Sequence, residues 1–394
     1  MGDPLPLSDV RVLDLSRLLP GPYATLVMAD LGAQVDKLED PQGGDYIRQM
    51  PPQRGDESAL FYALNRNKRS LALDLKRPEG VAAVKRLLHR YDVLVESFRP
   101  GVMDKLGLGW DALCSQHPRL IVCSISGYGQ TGPDWLRAGH DLNYMARAGA
   151  LAYAGERGGP PSHPGVQVAD IGGGSLFSLV GILAALHERA RTGRGRWLDV
   201  SMTEGALAFI HMQLGARLVM EGEGTPLERG ADALNGGYPC YGLYRTQDGK
   251  YLSVGSLEPK FWAGVVEVLG LPELVSAGWD PGEVGDGARE QVQAAIARHS
   301  AAEWRQRFAE VDLCVEVVNE GDEVLSDPQL LSRGMFLQAD DPQRGWKAVR
   351  QVRTPVRMGD PPLRPPPALG QHTEEILREG GFSAEEIRAL QAAR

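Results

Sequence analysis

Short apolar runs alternate with amphipathic stretches through the first third of the chain. The runs at residues 10–16, 34–39, 70–76, 91–98 and 119–126 have the length and composition of buried strands. Between them, apolar residues recur at helical spacing after residues 20–22, over 80–89 and over 102–106, and Gly32 is placed to end the first helix. Strands that alternate with helices at this rhythm predict an α/β fold, with βαβ units and a parallel sheet covered on both faces.

The pattern changes beyond residue 196. A strand end leads into a long apolar helix, and two β-rich runs over residues 241–255 flank Asp248 and Gly249, which predicts a hairpin. Helical spacing continues at 260–269, 288–297 and 302–310, and a last amphipathic helix falls near 384–393. We therefore predict a large parallel-sheet domain (1–200 and 325–394), a linker helix (201–229) and a small α+β domain (230–324).

Length and composition restrict the class of protein. A chain of 394 residues is long enough for two cores, and its net charge of −9, without a basic block, argues against nucleic acid as a partner. The four cysteines lie far apart without histidines at ligand spacing, so we expect reduced thiols in a cytoplasmic protein and no metal site. The most apolar run, residues 171–186, is shorter than a bilayer span and predicts a buried helix rather than a membrane segment.

A glycine-rich segment follows the fifth predicted strand. Residues 127–132, GYGQTG, match the G-x-G-x-x-G pattern of dinucleotide-binding loops. Pro133 interrupts the helix that such a loop requires, and no acidic residue stands about 20 positions further on to hold a ribose. We therefore expect a glycine loop of another kind and no NAD cofactor.

Three titratable residues are candidates for catalysis. His140 follows a strand end and a glycine, where open α/β sheets bind ligands, and can be either a general base or a core histidine. Asp170 stands just before glycines 172–174, whose amides would face an anion, and can be a helix N-cap, a nucleophile or a proton acceptor. Glu258 precedes a helix that starts with proline, where an exposed glutamate without catalytic function is the simplest interpretation.

Basic residues cluster near the ends of the early predicted strands. Most of them are expected to be solvated surface, and a few are candidates to hold phosphates in a protein that is acidic overall. They are Lys37, Arg66, Lys68, Arg69, Lys76, Arg99 and Lys105.

Taken in order, these segments resemble the family III (CaiB/BaiF) CoA-transferases, a family that also contains the α-methylacyl-CoA racemases. The matching segments cover nearly the whole chain: VLDLSRLLPGPYATLVMADLGAQVDKLE, ALNRNKRSLALDLKRPEG, SFRPGVMDKLGLG, SGYGQTGP, ADIGGG, GILAALHERARTGRG and GQHTEEIL. The resemblance implies a Rossmann-like large domain, a small domain and an interlocked homodimer. It further implies an acyl-CoA thioester as substrate, no other cofactor, and no membrane partner.

The resemblance also implies roles for individual residues. Racemases of the family use positions matching His140 and Asp170 as the acid/base pair, and a glutamate matching Glu258 assists the histidine. Transferases use the position matching Asp170 as a nucleophile. We expect a 2-methylacyl-CoA racemase, with a CoA-transferase as the alternative. The positions implied in CoA binding are Leu19, Lys37, Leu73, Lys76, Phe98, Arg99, Lys105, Gly139, Asn143 and Tyr144.

Two positions depart from the family pattern. Asp40 stands where the family often has an arginine that meets the adenosine phosphates, so this contact is not expected here. The loop around Cys314 reads Asp-Leu-Cys-Val-Glu-Val-Val instead of the racemase sequence Asp-Ala-Cys-Val-Thr-Pro-Val, a difference that can alter acyl-chain selection.

Overall fold

The computed structural model of the chain describes residues 4–221, 223 and 228–392. It divides into two compact units, the larger of Met1–Ala148, Val166–Ala208 and Pro328–Arg394, and the smaller of Gly149–Gly165 and Phe209–Asp327. Residues 149–165, which the sequence assigns to the large domain, group with the smaller unit. Part of the predicted linker helix, residues 222 and 224–227, lies outside the described residues, as does residue 393 of the last predicted helix.

The larger unit contains a six-stranded parallel sheet, as the sequence predicts. The sheet order is β5-β2-β1-β6-β7-β8, with each neighbouring pair parallel. A short antiparallel pair, β3 with β4, precedes β5 in the chain. These strands are β1 (Arg11–Asp14), β2 (Gln34–Glu39), β3 (Gln53–Arg54), β4 (Glu57–Ser58), β5 (Arg69–Ala72), β6 (Val93–Glu96), β7 (Ile121–Ser126) and β8 (Trp197–Ser201).

The remaining strands are antiparallel. Strands β9 (Tyr241–Arg245), β10 (Tyr251–Gly255) and β11 (Val315–Val317) form the sheet of the smaller unit, in the order β11-β10-β9. The predicted hairpin is therefore present, and Gly249 at its turn has a φ of +84°. A second hairpin, β12 (Phe336–Asp341) with β13 (Trp346–Val352), lies in the larger unit and was not predicted.

Helices fill the connections between the strands. Helix α1 has proline in its first turn, and Gly32 follows its end with a φ of +103°, as its position in the sequence predicts. The helices are α1 (Pro20–Asp30), α2 (Ala59–Leu64), α3 (Pro78–Leu87), α4 (Val102–Lys105), α5 (Trp110–Gln116), α6 (Asp141–Arg147), α7 (Ala150–Tyr153), α8 (Phe177–Thr192), α9 (Met202–Ala208), α10 (His211–Val219), α11 (Pro259–Leu269), α12 (Glu283–Ile296), α13 (Ala301–Phe308), α14 (Pro328–Ser332), α15 (Thr373–Glu379) and α16 (Ala384–Ala392). Short 3₁₀ turns occur at Tyr46–Gln49, Leu88–Arg90, Pro272–Ala277 and Gly321–Ser326.

Each unit has its own apolar core. In the larger unit, Leu13, Leu71 and Leu94 from the sheet are fully enclosed, and Ile376 and Leu377 of α15 pack into the same cluster. This packing ties the C-terminal segment to the N-terminal sheet. In the smaller unit, the core is built around the buried indole rings of two tryptophans, Trp262 and Trp304.

A π-helix over Val168–Leu176 runs directly into α8. The continuous helix, Val168–Thr192, has 25 residues and a mean hydropathy of 1.7, so it is long and apolar enough to cross a bilayer. The sequence-based argument that this region is too short for a span is therefore wrong. Half of its most apolar window is buried inside the protein, as in a core helix.

Candidate active site

His140 stands at the start of α6, at the end of the glycine-rich loop that follows β7. It is the N-cap of that helix, with an extended backbone, and its amide donates a hydrogen bond to Oδ1 of Asn143 at 3.0 Å. The two residues form a capping box, in which the His140 side chain in turn meets the backbone amide of Asn143. The ring of His140 is exposed. His140 is therefore not the enclosed core histidine of the alternative interpretation.

Asp170 lies inside the first turn of the π-helix rather than ahead of a helix. The N-cap of that segment is Gln167, so the prediction that Asp170 is an N-cap is wrong. Instead, the Asp170 amide donates to Oδ1 of Asp141 at 2.9 Å, which joins the π-helix to α6. The Asp170 carboxylate is therefore not the N-cap of this helix. π-helical turns are rare and occur often at functional sites.

The glycines after Asp170 serve packing rather than anion binding. Gly172, Gly173 and Gly174 are buried within the helix, so their amides are not exposed to a ligand as the sequence suggested. A Cβ on Gly205 of α9 would lie 2.2 Å from the Cα of Gly173, which shows how closely the two helices approach. The glycines therefore position the Asp170 segment against α9.

The charges around Asp170 are unbalanced. Burial raises the pKa of the Asp170 carboxyl, the neighbouring Asp141 raises it further, and His140 partly opposes both, leaving a pKa of about 6. Among the described residues, no lysine or arginine forms an ion pair with Asp170. Asp141, which accepts the hydrogen bond from the Asp170 amide, directly follows His140, so the two predicted residues lie on adjoining segments.

Tyr144 lies near the loop that carries His140 and near Asp170. Its hydroxyl donates a short hydrogen bond to the carbonyl of Gly139, and its ring meets that of Tyr128 edge-on at 5.3 Å. A Cβ on Gly139 would lie 2.7 Å from Cε1 of Tyr144, so a side chain there would displace the ring. Burial, followed by the charge of Asp170, raises the pKa of the Tyr144 phenol. Gly139 and Tyr144 therefore support the loop that carries His140.

Glu258 belongs to the smaller unit. It is the exposed N-cap of α11, and its side chain makes no capping hydrogen bond. This geometry agrees with the exposed glutamate of the simple interpretation. A role beside His140 comes from the resemblance alone.

Of the lysines implied in CoA binding, Lys37 is completely enclosed. Its ammonium lies 2.9 Å from Asp45 and donates to the carbonyl of Ser16 at 2.7 Å, and both side chains of the ion pair have no exposed surface. Burial alone would lower the pKa of Lys37, but Asp45, Asp14 and Glu39 outweigh it and raise that pKa. This burial argues against the predicted contact between Lys37 and a phosphate.

Lys76 and Lys105 have the opposite environment. Both are exposed and line a surface groove of about 410 Å³ between α3 and α4, together with Arg77 and Lys85. The apolar part of the groove's wall is formed by Leu75, Val81 and Leu106. We name this feature the basic groove. Sequence reasoning missed Lys85, which was read only as part of an amphipathic helix.

Asp40 faces the edge of the basic groove. Its carboxylate lies 3.4 Å from the ammonium of Lys76, in an exposed ion pair. A backbone hydrogen bond from Gln42 and the charge of Lys76, among other causes, hold the pKa of Asp40 below its ordinary value against a small effect of burial. The carboxylate of Asp40, at the position where the family often has an arginine, therefore partly neutralises the charge of Lys76.

The other implied CoA contacts surround the ends of β1, β5 and β6. Leu19 is half-buried at the start of α1, and Leu73 is buried just after β5. Phe98 and the exposed Arg99 follow β6. Arg17 was missed: its guanidinium lies 5.3 Å from the ring of Phe98. The available signal was its position directly after the first strand.

The comparisons with known proteins bear directly on this arrangement. The sequence model of the family described as "CoA-transferase family III" matches residues 7–373. This chain belongs to CoA-transferase family III. Among relatives of this family, it is 38% identical to the human alpha-methylacyl-CoA racemase over 385 residues, which is 98% of this chain and 96% of the racemase.

Other members of CoA-transferase family III are nearly as similar. The chain is 36% identical over 385 residues to the succinyl-CoA:glutarate CoA-transferase of Mus musculus, covering 95% of this chain and 86% of that protein. Its fold matches a solved CAIB/BAIF family protein from Brucella suis with a TM-score of 0.82 and 30% identity, covering 96% of this chain and all of that one. The resemblance read from the sequence is confirmed. Racemase and transferase relatives are both close, so similarity alone does not select the reaction.

Proposed function

We propose that this family III protein racemises 2-methylacyl-CoA thioesters. A thioester acidifies its α-C–H because the resulting enolate delocalises charge onto the carbonyl oxygen. Racemisation then needs two groups that exchange protons with the α-carbon from opposite faces. The observation that carries the proposal is the placement of His140 and Asp170 on segments joined by the hydrogen bond from the Asp170 amide to Asp141, together with burial that raises the pKa of the Asp170 carboxyl to about 6.

The two residues exchange roles between the epimers. For one epimer, ionised Asp170 accepts the α-proton and the imidazolium of His140 returns a proton to the other face. For the other epimer, neutral His140 accepts the proton and protonated Asp170 returns one. A carboxyl pKa of about 6 keeps both protonation states of Asp170 accessible near neutrality, which an ordinary aspartate would not do.

The basic groove supports acyl-CoA as the substrate. The exposed Lys76 and Lys105 and the half-buried Lys85 present ammonium groups where the phosphates of a CoA nucleotide can be neutralised, with apolar side chains beside them for the base. The proposed reaction needs no cofactor in addition to the thioester itself. Glu258 is included as the residue that assists His140, and Glu258→Gln is expected to slow only the His140-dependent direction.

The alternative is CoA transfer between carboxylic acids with Asp170 as the nucleophile. Within the described chain no lysine or arginine pairs with the Asp170 carboxylate, which favours this reaction as well, and the similarity to the mouse transferase is close to that of the racemase. A transferase would form a covalent adduct on Asp170 from acyl-CoA alone. Hydroxylamine would convert that adduct into a hydroxamate, which intact-mass and peptide mass spectrometry detect.

The deciding experiment supplies a single 2-methylacyl-CoA epimer in D₂O without any acceptor acid. Proton NMR then follows deuterium uptake at the α-carbon, and chiral chromatography follows epimer composition. Racemisation predicts deuterium uptake together with loss of chirality. A protein that binds the thioester but exchanges no α-proton, and that gives a hydroxamate at Asp170, would replace the proposal with the transferase.

We also propose a homodimer in the cytoplasm. In the larger unit, α8 exposes Val180 (63%) and Leu183 (41%), and in the smaller unit α10 exposes Leu218 (70%) and Val219 (82%). Exposed apolar side chains of this kind, on a helix of each unit, favour burial against another chain. Light scattering after gel filtration should give twice the mass of the chain, and a monomer at micromolar concentration would contradict the proposal.

A further inference from the structure

The smaller unit contains a cavity that the proposed proton transfer does not use. Its volume is about 1150 Å³, and every residue that lines it belongs to the smaller unit. Typical small-molecule sites have volumes of about 300–1,000 Å³, so this cavity is large enough for a ligand of that size. Its wall is formed by the loop over residues 155–162, by β9 and β10, and by α12.

Two arginines line the cavity, and their surroundings differ. The guanidinium of Arg157 is fully occupied: it donates to both carboxylate oxygens of Asp286 at 3.2 Å, to the carbonyl of Pro281 at 3.1 Å and to two further carbonyls. Arg289, on α12, has neither a hydrogen bond nor an ion pair with any of the described residues. Arg289 is therefore the one arginine of the described wall without a direct partner, although Glu156 also lines the cavity.

The position of Arg289 is defined by close packing. A Cβ on Gly242 would lie 3.3 Å from Nη1 of Arg289, so the missing side chain at Gly242 lets the guanidinium lie against β9. Its charge also reaches Cys240: burial raises the pKa of the Cys240 thiol to about 11, and Arg289 partly opposes that rise. Arg289 is thus a half-buried cation on the cavity wall rather than a solvated surface residue.

We propose that this cavity binds a carboxylate carried on an apolar chain, with Arg289 as its anchor. A guanidinium matches the two oxygens of a carboxylate in a bidentate pair. A phosphate with two negative charges fits less well, because Glu156 and Asp286 also line the cavity and Arg289 is the single cation left unpaired in the described part of its wall. Tyr241, Leu243 and Val254 supply the apolar surface for the chain.

The carboxylate has two possible sources: a free carboxylic acid, or the far end of an acyl group attached to CoA. Both have the same chemistry at Arg289, and the experiment below separates them. Because the experiment measures binding and not turnover, its outcome is independent of the proposed racemisation.

Cys314 provides the measurement. Its thiol is exposed and lines the same cavity, whereas Cys123 and Cys240 are buried and Cys114 lies on α5 in the other unit. The full-length protein is treated with N-ethylmaleimide, and labelling of each cysteine is followed by peptide mass spectrometry. Octanoate is compared with the uncharged octanol, and suberyl-CoA with octanoyl-CoA.

We expect a carboxylate ligand to slow labelling of Cys314, and the half-protecting concentration to rise at least about tenfold in Arg289→Gln, as loss of a charge-assisted bond implies. The control is Arg298→Gln, which removes an exposed charge from the same unit outside the cavity wall. This variant should leave the half-protecting concentration unchanged. Protection by octanoate, with no preference between the thioesters, identifies a free acid. Arg289-dependent preference for suberyl-CoA identifies an acyl-CoA with a terminal carboxylate.

Two results would overturn the proposal: equal protection by octanoate and octanol without a preference for suberyl-CoA, or unchanged protection in Arg289→Gln. Arg289→Lys is the control for a folding defect, since it keeps the positive charge and removes the guanidinium group that can pair with both oxygens of a carboxylate. It should bind between the wild type and Arg289→Gln, with the unliganded labelling rate of Cys314 and the circular dichroism spectrum unchanged.

Discussion

Two clusters of charged residues in the larger unit both contain aspartates removed from solvent, and they differ in the groups that face these aspartates. In the first, Lys37 pairs with Asp45, and Asp14 accepts hydrogen bonds from Thr25 and Lys68 at 2.6 and 3.3 Å. In the second, Asp170 has the carboxylate of Asp141 and the ring of His140 as its neighbours, without an ion pair to a lysine or arginine of the described chain.

The pKa values follow from this difference. Burial alone would raise the pKa of Asp14, but Lys37, Lys68 and two hydroxyls outweigh it and hold that pKa below its ordinary value. At Asp170 the effects of burial and of Asp141 exceed that of His140, so the pKa rises to about 6. The first cluster is saturated, since each carboxylate has a lysine partner. These pairs keep Asp14 ionised and Lys37 protonated at neutral pH, although burial lowers the pKa of Lys68 to about 8. An unsaturated cluster can gain and lose a proton near neutrality, which is the property that catalysis needs.

The largest effect is expected from substitutions in the unsaturated cluster. Asp170→Asn and His140→Gln should each lower α-proton exchange by about 10²–10⁴-fold, the usual contribution of a general acid or base. Each variant should lose proton abstraction from a different epimer, because each residue serves one face. Deuterium uptake from the two purified epimers measures this, and an equal loss from both epimers in both variants would contradict the two-face assignment.

The saturated cluster should respond in stability. Lys37→Met leaves the buried carboxylate of Asp45 without its partner, and breaking a buried pair in this way costs about 3–5 kcal/mol. Urea denaturation measures the free energy of unfolding. Lys105→Met is the matched control, because that lysine is exposed and its replacement should change stability by less than about 0.5 kcal/mol. Equal stability of the two variants would mean that the buried pair contributes nothing.

Asp170→Asn should stabilise the fold, in contrast to Lys37→Met. The folded pKa of Asp170, about 6, exceeds that of an unfolded aspartate, so ionisation in the folded state costs free energy above pH 6. The cost falls as the pH is lowered from about 6 to about 4, and below about pH 3 the carboxyl is protonated in both states and the cost disappears. The variant should therefore exceed the wild type by roughly 3 kcal/mol at pH 8 and by almost nothing at about pH 3. Thermal unfolding at a series of pH values measures the difference, which would be absent throughout if Asp170 had an ordinary pKa.

The smallest effect is expected in the basic groove. Lys105→Gln should weaken CoA binding by about three- to tenfold and reduce its dependence on salt, because one exposed cation contributes about a kcal/mol and is screened by ions. Calorimetric titration with CoA at two ionic strengths measures both quantities. Arg350→Gln, an exposed substitution on β13 that does not line the groove, should leave affinity and salt dependence unchanged.

Sequence periodicity predicted the sheet because buried parallel strands are continuous apolar runs. The residue range of β2 was correct at both ends, and the Asp248-Gly249 hairpin was found from its turn residues. The hairpin of β12 and β13 was missed, because its strands are mostly exposed and mix charged with apolar residues. The predicted helix from residue 201 is divided into α9 and α10, a break that local spacing does not reveal.

Site residues were predictable where chemistry depends on local sequence. His140 and Asp170 stood out because each lies near glycines, and a hydrogen bond from Asp170 to Asp141 joins the segments that carry them. The burial of Lys37 was not predictable. A lysine in an apolar strand has a buried partner only if another segment, here the one with Asp45, folds back onto it. The role of glycines 172–174 depends in the same way on contact with α9, 30 residues further along the chain.

The most direct test of the difference between the two clusters is the pKa of Asp170 itself. The side-chain carboxyl carbons of aspartate are labelled with ¹³C, and the Asp170 resonance is assigned as the one that disappears in Asp170→Asn. Titration by NMR should then show an inflection near pH 6 for Asp170 and a lower one for Asp14. An Asp170 carboxyl that titrates at or below pH 4, alongside Asp14, would contradict the account.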